Sequence, residues 1–292
     1  MNRSTQQDAE RLVSLLNGLR RVVVAFSGGV DSSVVAAACQ RADLDFVCAV
    51  TAQSPSVPQW QLETAVGIAK EIGIDHHVVR TGEVERSDYQ RNDGNRCFYC
   101  KDTLYAALST FIREQSFFAD ADVTVVSGTN GDDLGDYRPG IVAGQRRQVV
   151  APLAETGLSK SRVRDLARYF GLSNHELPAS PCLASRIAYG VEVTVERLAC
   201  IEQSEDWLRS RGVPDCRVRL HQDGLARIEV RRELLESILQ LDADRELTLH
   251  FQKLGFKFVT VDLEGFHSGK MNRGLVPLEL PGKLRKNEAE KR

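Results

Sequence analysis

Apolar and polar positions alternate along the first half of the chain in two distinct rhythms. Leu12, Val13, Leu15, Leu16 and Leu19 recur at helical spacing, so residues 8–19 are expected to open the fold as an amphipathic helix. The run Val22-Val23-Val24-Ala25-Phe26 carries no charge, as a strand buried on both faces requires, and it stops abruptly at Ser27-Gly28-Gly29. An alanine-rich helix (32–41), a second buried strand (46–51), an amphipathic helix closed by Gly73 (59–72) and a third strand (76–80) follow. A helix over 101–113, a fourth strand at 123–127 and a fifth at 149–153 complete this half. Strands separated by helices imply right-handed crossovers and a mostly parallel sheet, hence a doubly wound α/β architecture. Ligands of such sheets gather at the carboxyl ends of the strands, where Ser27 and Gly128 fall.

Beyond residue 189 the rhythm changes. A helix over 195–211 ends at Gly212, paired strands are expected at 216–221 and 226–230, then helices at 233–241 and 243–254 and a last strand at 258–262. The expected division is therefore a nucleotide-type domain over 1–188, a smaller α/β domain over 189–270, and a flexible charged tail over 271–292.

Composition narrows the partners. A formal net charge of −2 and a pI near 6.3 offer no basic surface for nucleic acid, so no nucleic-acid partner is expected. No apolar run approaches the ~20 residues of a membrane span, and the polar start of the chain carries no secretory signal, so a cytoplasmic protein without a membrane partner is expected. With 7 cysteines and no export signal, clustered thiols point to chemistry or metal binding rather than to a disulfide framework. Cys39, Cys48, Cys200 and Cys216 fall in apolar patterns and read as small core residues.

Two loops carry the candidate nucleotide chemistry. In Ser27-Gly28-Gly29-Val30-Asp31-Ser32 a strand ends, the glycines let backbone approach a ligand closely, and a helix N-terminus offers free N–H groups to phosphate. The spacing lacks the Gly-Lys-Ser/Thr ending of a Walker A loop. Instead it resembles the PP-loop of the ATP pyrophosphatase superfamily, whose members cleave ATP between the α- and β-phosphates and adenylate a substrate. The second loop, Gly128-Thr129-Asn130-Gly131-Asp132-Asp133, continues through Asp136 and Arg138 to Gly140. Its aspartates suit Mg²⁺ or ribose hydroxyls, and Arg138 suits phosphate or a substrate carboxylate.

Two further stretches bear sulfur. Cys97 and Cys100 form a Cys-x-x-Cys just before a helix, compatible with zinc, redox or iron–sulfur chemistry, with His175 as a lone additional zinc ligand. Cys182 lies in a proline-bounded loop, Pro181-Cys182-Leu183-Ala184-Ser185-Arg186, where Arg186 is expected to keep the thiol ionised. In the C-terminal part Arg217 and Arg219 share one strand face, as an anion clamp would need.

In this order, over residues 8–269, the PP-loop, the 128–140 loop and the Pro-Cys-Leu stretch resemble the ATP-dependent sulfur transferases that make the nickel-pincer nucleotide cofactor of lactate racemase. The resemblance implies that ATP with Mg²⁺ adenylates a carboxylate of a pyridinium biscarboxylate mononucleotide and that sulfur then displaces AMP to give a thiocarboxylate. It implies ATP contacts from Ala25, Phe26, Ser27, Gly28, Gly29, Asp31, Ser32, Thr51, Gly128, Asn130, Asp132 and Arg138, with Asp31 also serving Mg²⁺. It implies substrate, phosphate or metal contacts from Arg186, Arg217, Arg219, Glu205 and Glu229. In one branch the cysteine matching Cys182 gives up its own sulfur; in the branch that this sequence resembles more closely, Cys97, Cys100 and Cys182 would hold a [4Fe-4S] cluster from which sulfur leaves. Three thiolates leave one iron open to carry an extra sulfide. A sulfur donor as partner and a ring-like homo-oligomer are also implied. The competing readings are another PP-loop enzyme, either tRNA-thiolating or amide-forming, and an ATP-sensing regulator without chemistry.

Overall fold

The computed structural model describes residues 3–118, 122–135, 139–178, 180–267 and 270. Its first sheet is built from β1 (Arg21–Ala25), β2 (Phe46–Gln53), β3 (Asp75–Arg80) and β4 (Thr124–Ser127), all parallel and ordered β3-β2-β1-β4. Because the chain moves outward from β1 to β3 and then returns to β4 on the other side of β1, strand order reverses between β1 and β4. That switch point is where a doubly wound sheet opens a crevice for ligand. The mostly parallel α/β architecture expected from the strand–helix alternation is the one observed.

Helices cover both faces. α1 (Arg3–Leu16) and α2 (Val30–Cys39) share a core with β1: Leu12, Leu16, Val22, Val24, Val34 and Val35 have no exposed surface. α3 (Gln59–Ile72) joins this side and ends at Gly73, whose left-handed φ of +75° closes the helix. On the opposite face Val23, Cys48 and Val50 pack against Tyr105, Leu108 and Phe111 of α5 (Arg96–Glu114), which is preceded by the short α4 (Ser87–Gln90). Alternate residues of one strand thus feed two different cores.

The expected fifth strand is reduced to a single parallel bridge between Val150 and Val126. Pro152 has no N–H to continue a ladder, and it begins a helical turn instead, α7 (Pro152–Glu155), after α6 (Pro139–Arg146). α8 (Lys160–Tyr169), absent from the sequence expectations, buries Val163, Leu166 and Ala167 against the α1–α2 layer.

α9 (Val195–Ser210), capped at Thr194 by a bond from the Arg197 N–H, leads into the second sheet. There β5 (Arg217–Leu220) and β6 (Leu225–Glu229) are antiparallel, and β7 (Phe258–Val261) adds in parallel after α10 (Leu235–Leu241) and α11 (Glu246–Lys253). The core beneath this sheet also takes Leu183, Ala184 and Ile187, and from the first half Val84 and Tyr89. The Cys182 stretch is therefore packed into the second core and tied to both halves. Residues 271–292 lie outside the described residues. Among the described residues no helix is long and apolar enough to cross a membrane.

Candidate functional site

The Ser27 turn sits at the switch point. Gly28 adopts φ +70°, and a Cβ there would fall 2.6 Å from the Ala65 Cα of α3. Gly128, after β4, would push a Cβ to 2.6 Å from the Ser32 N. The two loops are thus closed onto each other and onto α3 at distances only glycine permits. Ser32 Oγ accepts from the Ser27 N–H (3.2 Å) and donates to the Gly29 carbonyl (3.0 Å), and Ser33 Oγ donates to the same carbonyl (2.9 Å). The Asn174 amide reaches in from the far side to the Gly28 carbonyl (2.8 Å) and Ser33 Oγ (2.9 Å). No side chain caps α2, so its first N–H groups face the crevice unclaimed by a cap.

Asp31, in the first turn of α2, meets the second loop. Its carboxylate accepts from the Asn130 amide (3.3 Å) and pairs with the Lys160 ammonium. Lys160 opens α8, and its backbone N–H donates to Asp132 (2.8 Å). Asp132 in turn takes its own N–H to Asn130 Oδ1 (3.0 Å), while the Asn130 N–H donates to Asp133 (3.1 Å). The arrangement concentrates carboxylates and one ammonium beside a helix N-terminus, as a metal–triphosphate would require. Lys160 was missed from the sequence, where it is one lysine in a polar stretch; the Ser159 before it, at the helix cap position, is the only local signal. Thr51 lies one strand over and is buried, with Oγ1 2.8 Å from His76 Nε2. Burial holds the His76 imidazole below its ordinary range, so it sits there neutral. Ala25 and Phe26 end β1 beside these groups; Asp136 and Arg138 lie outside the described residues.

The Cys-x-x-Cys of α5 adjoins the far end of this loop. Gly140, at the start of α6, lies against α5: a Cβ there would be 3.5 Å from the Cys97 carbonyl and 3.1 Å from Lys101 Cγ. Cys97 is exposed, Cys100 and Cys182 are half-buried, and the latter two pack against the second core. Burial raises the Cys100 thiol well above its usual range, with Cys182, Glu83 and Cys97 adding to the rise. Burial likewise pushes Cys39, Cys48 and Cys216 up to about 12 and Cys200 to about 11, so these thiols, like that of Cys100, stay protonated at neutral pH.

Cys182 begins the turn Leu183–Arg186. Its carbonyl accepts from the Ser185 N–H (3.0 Å), Ser185 Oγ (2.7 Å) and the Arg186 guanidinium (2.9 Å), and Leu183 N–H donates to the Ser56 carbonyl after β2 (2.8 Å). Arg186 has no exposed surface: beyond the turn it pairs with Glu205, which is equally buried and also holds Arg209 and the Val218 N–H. Arg186 thus holds the backbone of the turn, and contact with a substrate would require breaking these bonds. Arg219 is likewise paired with the buried Glu229 (2.8 Å) and donates to the Ser185 carbonyl (3.2 Å). Arg217 is the less committed member of the strand pair, bonded to the Cys216 carbonyl and lying 5.1 Å from the Phe266 ring centre. His175 bonds the Leu172 carbonyl, away from the thiols' partners.

The chain matches the NAD synthase family model over residues 10–183, the stretch that holds both nucleotide loops and Cys182. It is a member of that family of PP-loop enzymes. Within the family it is 34% identical over 270 residues to the pyridinium-3,5-bisthiocarboxylic acid mononucleotide synthase of Lactiplantibacillus plantarum, covering 92% of this chain and 95% of that one. It is 42% identical over 267 residues to an uncharacterised protein of Synechocystis, 91% of this chain and 97% of that one. A tRNA-specific 2-thiouridylase of Trichlorobacter lovleyi shares 29% identity over 186 residues, 53% of this chain and 51% of its own. The family match gives the PP-loop its expected partner, ATP, with Mg²⁺ as the usual companion of a cleaved triphosphate.

Among the described residues no three His, Cys, Asp or Glu side chains are gathered as the ligand set of a metal ion.

Proposed function

We propose that this protein is an ATP-dependent sulfur transferase that adenylates a carboxylate of a pyridinium biscarboxylate mononucleotide and converts it to a thiocarboxylate. The observation that carries the reading is the contact of Gly140 with Cys97 and Lys101, which ends the nucleotide loop against the cysteine-bearing turn of α5. On this reading an adenylate formed at the switch point is passed to the sulfur borne by the neighbouring α5. The Lactiplantibacillus relative, similar over nearly the whole chain, is named for a product of this kind.

The chain's own residues divide the work. The N-terminus of α2, with Ser27, Gly28, Gly29 and Ser32, holds phosphate oxygens, while Asp31 and Asp132 serve Mg²⁺. Lys160, now on Asp31, turns to the triphosphate and neutralises the charge of the departing pyrophosphate. Asn130 keeps Asp31 oriented. Cys97, Cys100 and Cys182 would hold a [4Fe-4S] cluster, which would supply the sulfide; in the variant of the mechanism without a cluster, Cys182 Sγ attacks the acyl carbon and AMP leaves, and loss of the Cys182 Cα proton then breaks the Cβ–Sγ bond to release the thiocarboxylate and leave dehydroalanine. Arg217 serves the substrate phosphate, and the protein works in the cytoplasm as a homo-oligomer served by a sulfur donor.

Pyrophosphate release with the pyridinium biscarboxylate nucleotide tests the reading. Wild type should release pyrophosphate and form thiocarboxylate; Cys182→Ala should keep the first and lose the second. Pyrophosphate release only with a thiolatable tRNA would instead favour the activity for which the Trichlorobacter relative is named. Iron and sulfide in protein purified without oxygen mark the cluster form, and a loss of about 34 Da at Cys182 after turnover, one H₂S, marks the sacrificial form.

A further inference from the structure

The turn that carries Cys182 is held by arginines on nearly every carbonyl. Arg186 donates to Pro181 and Cys182, Arg219 to Ser185 (3.2 Å), and Arg96 to Ala184 (2.9 Å). All three guanidiniums belong to buried residues. Two of them are anchored by carboxylates, Arg186 by Glu205 and Arg219 by Glu229. Arg96 is anchored differently. It has no carboxylate partner among the described residues and is fixed by the side chain of Asn92, which itself donates to the carbonyls of Ile187 (3.3 Å), Ala188 (2.8 Å) and Val191 (2.8 Å) just downstream of the turn.

Arg96 is also the first residue of α5, joined by a peptide bond to Cys97 and lying one helical turn before Cys100. Residues four apart share a helix face, so the face that sends Arg96 to the Ala184 carbonyl also presents Cys100. The Arg96 guanidinium carbon also lies 5.7 Å from the ring centre of Tyr189, three residues beyond the turn. The guanidinium thus lies between the two sulfur-bearing stretches and is bonded to the backbone of one while built into the other.

We propose that Arg96 is a positioning residue for sulfur transfer: by spanning from the Cys-x-x-Cys turn to the Ala184 carbonyl it sets the separation of Cys97 and Cys100 from Cys182. The inference rests on the function proposed above. A single guanidinium nitrogen, Nη1, donates to both Asn92 Oδ1 and the Ala184 carbonyl, and a lysine ammonium, on a stem one bond shorter, falls short of that point.

Thiol bridging by dibromobimane, a short reagent that becomes fluorescent when it joins two cysteines, tests this without substrate, with the bridge located by peptide mass. Wild type should form a bridge between the exposed Cys97 and Cys182. Arg96→Met should slow bridging about tenfold, as loss of one charge-assisted hydrogen bond implies, while ATP binding measured by calorimetry stays at the wild-type level. Arg96→Lys, which keeps the charge and folds more readily, should fall closer to Met than to wild type. Bridging at the wild-type rate in both variants overturns the proposal, as does parallel loss of bridging and ATP binding, which would mark Arg96 as a general structural residue. Failure of wild type to form the bridge overturns it too. Should bridging behave as expected while wild type releases no pyrophosphate on the nucleotide substrate, the functional reading falls and the positioning role of Arg96 stands as geometry alone.

Discussion

Three glycines separate the two ways in which a methyl group can damage this fold. Gly73 has φ +75° and open space around its Cα, so Gly73→Ala meets only the left-handed backbone cost. That cost is about 1–2 kcal/mol, less about 0.4–1 kcal/mol gained by restricting the unfolded chain, for a net destabilisation of about 1 kcal/mol. Gly128 has no positive φ, but its Cβ would meet the Ser32 N at 2.6 Å and the Asp31 carbonyl carbon at 2.9 Å. Both are backbone atoms at the start of a buried helix and cannot swing aside, so Gly128→Ala is expected near the upper end of overpacking, about 2 kcal/mol net. Gly28 combines both, with φ +70° and the Ala65 Cα and N at 2.6 and 2.8 Å, and Gly28→Ala should cost about 3–4 kcal/mol. In thermal unfolding the order should be Gly73, Gly128, Gly28, at roughly 2 °C per kcal/mol for a chain of this size. ATP-dependent pyrophosphate release should survive Gly73→Ala and be lost in the other two, because relieving either clash moves Asp31 or the Gly28 carbonyl that Asn174 holds. Equal shifts for Gly28→Ala and Gly73→Ala would refute the claim that close contact with α3, rather than φ alone, demands glycine at position 28.

Other consequences follow from the same geometry. Lys160→Met removes a charge-assisted contact to the triphosphate and should lower kcat/KM for ATP about 10- to 100-fold, read by pyrophosphate release, with little change in unfolding temperature. Glu205→Gln leaves the buried Arg186 without its carboxylate and Arg209 with Asp206 alone, and should destabilise by about 3–5 kcal/mol in denaturant unfolding, since one partner of a buried pair is lost. A thiol raised to about 12 is ionised only ~10⁻⁴ of the time at pH 8, and ionisation grows as pH rises. Iodoacetamide at pH 8 should therefore label the exposed Cys97 while sparing Cys39, Cys48 and Cys216, whose labelling should appear only above about pH 11 or on unfolding.

How much of this was legible in the sequence depended on how local each signal was. The PP-loop was legible because strand, glycine pair and helix start are contiguous, and Gly73 because a helix stop is a local event. The helix over 160–169 was overlooked because its apolar face is only Val163, Leu166 and Ala167 in a strongly charged stretch. The fifth strand was overcounted because Val149 and Val150 satisfy β-propensity while Pro152 ends any ladder. Arg186 is the instructive case. Its nearness to Cys182 in sequence suggested a charge serving the thiol, but its partner, Glu205, lies 19 residues on in α9, and the pair is buried. No short-range pattern separates an arginine that faces a ligand from one that pins a turn. For the same reason Arg96 drew no notice beside the two cysteines that follow it.

The central claim is that ATP consumed at the Ser27 loop activates a carboxylate for sulfur held by Cys97, Cys100 and Cys182. Pyrophosphate and thiocarboxylate measured together, in one anaerobic reaction with the pyridinium biscarboxylate nucleotide, test it most directly. The account predicts both products from wild type and pyrophosphate alone from Cys182→Ala; thiocarboxylate formed at the wild-type rate by Cys182→Ala would contradict it.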